Sequence, residues 1–135
     1  MTDPSGAAET PDPVSARVDP RRTLGAAGED AVAAWYQAAG YEVLERNWRR
    51  REGELDLVVA RDRVVVFCEV KTRSTDAFGA PVEAITHQKR QRVRVLAAKW
   101  LEESKAVVRE VRFDVASVRW PRNERAEIEV LEGAF

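Results

Sequence analysis

The chain has 135 residues, 44% hydrophobic and 33% charged, a balance that suits one soluble domain and excludes a wholly disordered chain. No apolar run approaches the roughly 18 residues of a membrane span, and the N-terminus lacks the basic-then-apolar pattern of a secretory signal. A single cysteine, Cys68, forms no internal disulfide and fits a reducing cytoplasm; with one histidine besides, any metal would take mainly oxygen ligands, which points to Mg2+ or Mn2+ rather than zinc.

The formal net charge of −1 hides a split. Residues 1–20 hold Asp3, Glu9, Asp12 and Asp19 against Arg17, which is −3 and leaves +2 for the remainder. Arginines cluster at Arg46, Arg49, Arg50 and Arg51, and again at Arg90, Arg92 and Arg94 beside Lys89. Such patches attract a polyanion even on a nearly neutral protein. A solvated surface accounts for the same charges, and composition does not separate the two.

Residues 1–20, rich in Pro, Ala and Asp without apolar periodicity, read as a disordered acidic tail, and 21–135 as one domain. From Leu24 the pattern turns helical, with Leu24, Ala31, Val32, Trp35 and Ala39 as the stripe, Thr23 as N-cap and Gly40 as stop. Glu29 and Asp30 lie in the first half of this helix, one of them a solvated residue. Tyr41 to Trp48 reads as a strand. Trp48, inside the basic run that follows, suits core or edge packing better than stacking on a base. Residues 54–60 and 64–71 form a central hairpin. Ser74 to Pro81 is a loop, and a second helix runs from Val82 or Thr86 to about Ser104 with Val93, Leu96, Ala97, Trp100 and Leu101 as its stripe. Val107 to Trp120 and Glu127 to Leu131 complete the strands. The order αβββαβ(β) predicts an α/β fold, a mixed sheet flanked by helices.

The hairpin carries the chemistry. Side chains on a strand alternate faces, so Glu69 and Lys71 share one with Val65 and Phe67, and Cys68 faces the other way as a small buried hydrophobe. If Asp62-Arg63 is a two-residue turn, Val58 lies opposite Phe67 and Asp56 opposite Glu69; a three-residue turn would set Asp56 opposite Cys68 instead. Paired carboxylates repel unless a cation bridges them or Lys71 neutralises them. A divalent ion held there would polarise a phosphate and acidify a bound water, with Lys71 balancing the growing charge. A plain ion pair of Lys71 with one carboxylate is the simpler account of the same residues.

Gly53-Glu54-Leu55-Asp56-Leu57 and Phe67-Cys68-Glu69-Val70-Lys71-Thr72-Arg73 resemble motifs of the YraN-like family of small bacterial proteins. So do Gly28-Glu29-Asp30, Arg46-Asn47-Trp48-Arg49, Lys89 and Arg112-Phe113-Asp114-Val115, in the same order, from about Leu24 to Val118. The resemblance implies a restriction-endonuclease-like fold, similar to Holliday-junction resolvases, with a PD-(D/E)xK-type endonuclease site. On that footing Asp56, Glu69 and Lys71 are catalytic, and Asp56, Glu69, Glu29 and the carbonyl of Val70 are the metal ligands. Arg49, Arg50, Arg51, Arg73, Gln88, Lys89 and Arg92 would contact nucleic acid, DNA before RNA, with branched or damaged DNA among the substrates. Resolvase-like relatives often dimerise, so a homodimer stays open. A catalytically silent binding or interaction module on the same fold is the alternative, and no membrane partner is expected.

Overall fold

The computed structural model describes residues 20–73, 85–120 and 125–135, with side chains described from residue 24 onward. Residues 1–19 of the expected acidic tail and the Ser74–Pro81 loop fall outside the described residues, and Pro20, the tail's last residue, already belongs to the first helix. In chain order the elements are α1 (Pro20–Ala38), β1 (Glu42–Arg50), β2 (Gly53–Arg61), β3 (Val64–Arg73), α2 (His87–Ser104), β4 (Glu110–Arg119) and β5 (Glu127–Leu131). The strands form one sheet in sequence order, β1-β2-β3-β4-β5. Only β3 and β4 are parallel, because α2 lies between them and carries the chain back to the starting edge. The predicted mixed α/β architecture and its element order are what the structure has.

The hairpin turn sets the register of the centre. Asp62 and Arg63 both have positive φ, 53° and 64°. That is the type I′ geometry whose twist matches the flanking strands. A two-residue turn follows, with Arg61 paired to Val64 and Val58 to Phe67. Alternation then sorts the side chains between two cores. Leu57, Val59, Val66, Cys68, Ala116 and Val118 meet Val32, Ala33 and Tyr36 of α1. On the other face Val58, Val65 and Phe67 meet Val93, Leu96, Ala97 and Trp100 of α2, joined by Leu55, where the alternation with Leu57 breaks. Each of these larger apolar side chains contributes about 1.5–3 kcal/mol by leaving water.

Helix α2 begins where its sequence allows. Thr86 is extended (φ −73°, ψ 162°) and its hydroxyl accepts from the Lys89 N–H at 3.0 Å, a threonine N-cap. Helix α1 differs from expectation in two ways. It begins at Pro20, upstream of the expected Thr23 cap; proline suits a first turn, where its missing N–H has no partner to lose. Its buried stripe runs through Gly28, Val32, Ala33 and Tyr36, and Trp35 is 36% exposed, so Trp35 is not core. The helix is rotated by one residue from the expected phase because Tyr36 finds a buried acceptor in Asp114, with its hydroxyl 2.6 Å from Oδ2. Trp48, 9% exposed and packed with the α2 core, is structural, as expected. The fourth strand is shorter than read: it starts at Glu110, and Val107 is exposed.

Gly28 sets the approach of α1 to the sheet. A Cβ built there would collide with the side chain of Thr72 on β3. Gly28→Ala is expected to cost about 1–3 kcal/mol, read as a lower urea midpoint, since the helix must back away or Thr72 must turn. An unchanged midpoint would show that the contact yields freely.

Candidate metal centre and its cleft

The β2–β3 ladder does not run to the end of its strands. Its last regular pair is Leu57 with Cys68, one step before Asp56 would meet Glu69. There the strands part, and Asp56 turns its carboxylate onto the neighbouring backbone: the Val70 N–H donates to Asp56 Oδ2 at 2.9 Å. Directly opposite pairing of the two carboxylates is thus replaced by a fork, in which the Asp56 side chain fills the place of a ladder hydrogen bond.

Glu69 points to the α2 side, on the face of Val65 and Phe67. It is 1% exposed. Among the described residues no donor forms a well-aligned hydrogen bond to its Oε1, although Lys89 Nζ from the first turn of α2 stands 3.3 Å away as an ion pair. That contact supplies charge and a long hydrogen bond of poor alignment. Burial first, and then the Asp56 carboxylate, push the Glu69 carboxyl up to about 7, with Lys89 and Lys71 acting in the opposite sense. Asp56 is also raised, chiefly by burial, against the lowering effect of the Val70 N–H and Lys89. Both acids are desolvated and raised in proton affinity, which makes them candidates for a site.

The remaining predicted residues fall as follows. Glu29 is half-buried and raised by burial and by Asp56, with Asn47 and Arg46 opposing. Asp30, its neighbour, is exposed and paired with Arg46 at 2.5 Å, which identifies the solvated member of the two. No group of three His, Cys, Asp or Glu donors gathers at metal-binding spacing among the described residues. Asp56, Lys89 and Arg92 line one cleft of about 200 Å³, together with Glu52, Glu54 and Leu96. Gln88 is exposed on the same turn of α2 as Lys89. Arg49 pairs with Glu54 at 3.4 Å; Arg50 pairs with Glu103 at 2.6 Å and stacks 3.9 Å over Trp48. Such exposed pairs are worth little. Arg51 is exposed in the β1–β2 turn, and Arg73 ends β3 with its carbonyl accepting from the Trp120 N–H at 2.8 Å.

Sequence reasoning placed Lys71 as the cation of the site and Lys89 as a phosphate contact. The structure makes Lys89 the nearer charge to Glu69, with Lys71 a weaker contributor. The helix-cap signal at Thr86 was the available clue, because it fixes which side chain of the first turn meets the sheet.

The profile of "Uncharacterised protein family UPF0102" matches residues 28–118, a span holding α1 from Gly28, all of β1 to β3, α2 and most of β4. The chain belongs to the UPF0102 family. A UPF0102 protein of Beutenbergia cavernae is 52% identical over 110 residues, covering 82% of this chain and 93% of its own. One of Nocardia farcinica is 44% identical over 122 residues, 90% of this chain and 96% of its own. Another, of Moorella thermoacetica, is 47% identical over 116 residues, 85% and 97% of the two chains. The family resemblance read from the hairpin motifs is therefore correct. Among the described residues of this UPF0102 chain no helix is long and apolar enough to cross a membrane.

Proposed function

We propose that this UPF0102 chain binds nucleic acid and hydrolyses phosphodiester bonds with the help of a divalent cation, DNA being the substrate class. The observation that carries the reading is Glu69: a carboxylate 1% exposed, with one oxygen meeting only the partly exposed Lys89 ammonium at 3.3 Å among the described residues, beside a second raised carboxylate at a sheet fork. Burying two acids together opposes folding, so the arrangement makes sense where a cation offsets it.

The residues suit such an ion. Asp56, Glu69 and the Val70 carbonyl would hold Mg2+ or Mn2+, with Glu29 approaching from α1, and water would complete the shell, as magnesium favours. When bound, the ion would polarise a phosphate oxygen and acidify a water. Lys71 balances charge on the phosphoryl group, and Lys89 and Arg92 hold the backbone in the cleft, helped by Gln88, Arg49, Arg50, Arg51 and Arg73. The restriction-endonuclease-like layout that the motifs resemble supports the same roles. A homodimer would present two such clefts to the two strands of a duplex, and a lone cysteine suits work in a cytoplasm.

The test is a panel of single-stranded, duplex, branched and damaged DNAs with magnesium or manganese. The parent is expected to cut at least one, and Asp56→Ala and Glu69→Ala to cut none. If nothing is cut, or the variants cut equally well, the reading is wrong. The second reading, a silent nucleic-acid-binding or protein-interaction module, draws on the absence of a three-donor cluster among the described residues. For nucleic acid it predicts salt-sensitive binding that survives Glu69→Ala and weakens when Arg49, Arg50 and Arg51 are replaced together.

A further inference from the structure

Lys89 does not behave as an ordinary phosphate contact. Its Nζ lies 3.3 Å from Glu69 Oε1 in a poorly aligned contact, and the Lys89 side chain is 35% exposed while Glu69 is 1% exposed. One end of the pair is fixed. Glu69 sits on a central strand between β2 and β4, and the Lys89 backbone is held by the Thr86 cap. The other end is free to leave, because a lysine carries its ammonium on four flexible methylenes and this one reaches the cleft it shares with Asp56 and Arg92.

A divalent ion bonds carboxylate oxygens at about 2.0–2.1 Å for magnesium and repels a nearby ammonium. The two cations compete for one buried oxygen. We infer that Lys89 is the resting counterion of the metal centre: its ammonium occupies the Glu69 side of the site in the metal-free protein, is displaced when a divalent cation binds, and is thereby delivered into the cleft, where a phosphate is its next partner. The inference rests on the metal-site reading above and adds an ordered exchange to it. It gives the site a guard against non-productive states, since the cation that neutralises Glu69 at rest is freed for the polyanion only after the metal is in place.

The test is calorimetric titration of Mn2+ alone into the full chain at about pH 9, where the carboxylates are ionised. Lys89→Ala is expected to bind Mn2+ about tenfold tighter than the parent, because the competitor is gone. Arg92→Ala removes a cation from the same cleft without touching Glu69, and is expected to change affinity by no more than about twofold. Equal tightening in both variants means a general field effect and overturns the exchange, as does a Lys89→Ala affinity equal to or below that of the parent. Lysine labelling of the unmodified protein, read by mass spectrometry, covers the case in which Lys89→Ala does not fold: Mn2+ should speed labelling at Lys89, and an unchanged or slower rate overturns the inference. If the parent, Lys89→Ala and Arg92→Ala all fail to bind Mn2+, the metal-site reading fails and this inference with it. If the parent binds and Lys89 does not respond, only the exchange fails.

Discussion

Asp114→Ala is expected to destabilise the fold by about 3–5 kcal/mol, the range for breaking a buried ion pair by removing one partner. Asp114 is fully buried, yet its carboxylate accepts four hydrogen bonds. Arg112 reaches it through Nε and a terminal nitrogen, both at 2.9 Å; Tyr36 donates from α1 at 2.6 Å; the Gly133 N–H donates at 3.0 Å from beyond β5. Truncation would strand the buried Tyr36 hydroxyl and remove the buried half of the Arg112 ion pair. It would also unfasten α1 and the C-terminal segment from β4 at once. Tyr36→Phe isolates one arm and is expected to cost only about 1 kcal/mol. Burial, with Cys68 and Asp114 nearby, pushes the Tyr36 phenol far above its ordinary value, so it remains a donor throughout the working range. Urea unfolding near neutral pH measures both variants, and a loss under about 1 kcal/mol for Asp114→Ala would sink the argument.

Glu69→Gln is expected to move stability and activity in opposite directions. The Glu69 carboxyl is held up to about 7 in the folded chain against an ordinary value of 4.5. The folded state therefore binds more protons than the unfolded state between those values. Parental stability should fall as pH rises across that window and level off above it, and the raised Asp56 acts in the same sense. Glutamine keeps the shape and removes the charge, so Glu69→Gln should lose most of that slope. At about pH 8 it should be more stable than the parent by on the order of 1–3 kcal/mol. Cleavage supported by metal should meanwhile drop at least 10²-fold or so, more than the loss of a mere supporting group around a metal. Unfolding curves at about pH 5 and pH 8 decide the first half, and a parent that gains stability across the window would contradict it.

The hairpin was legible because its signals are local. Arg61, Asp62 and Arg63 interrupt two apolar runs, and the two-residue turn then fixes Arg61 against Val64 and every pair down to Leu57 and Cys68. The last step was not legible. Whether Asp56 continues the ladder or bends to the Val70 N–H depends on strand separation, which the sequence of either strand does not encode. Trp35 and Tyr36 show the same limit on a helix. Adjacent aromatics fit two phases of one apolar stripe, and a partner 78 residues away in sequence, Asp114, selects the second. Asp114 itself was readable in part, since Arg112 two residues earlier shares its face of the strand. Lys89 was named but given a different role, because only the docking of α2 reveals how near its ammonium comes to Glu69.

The single parallel pairing has a kinetic consequence. Each residue of β3 pairs with one 46 places later, from Val64 with Glu110 to Arg73 with Arg119, whereas β1, β2 and β3 are joined by turns of two residues. Closing the long loop carries most of the entropic barrier, so the three-stranded meander should form early and β4 should dock late, setting the folding rate. Glu69 lies at the seam, beside Val115 of β4. Until that strand arrives, the carboxylate is open to water and ordinary in its acidity. The candidate site is thus a product of the final folding step, and a chain caught before it would carry every one of its residues without the raised proton affinity that burial gives Glu69.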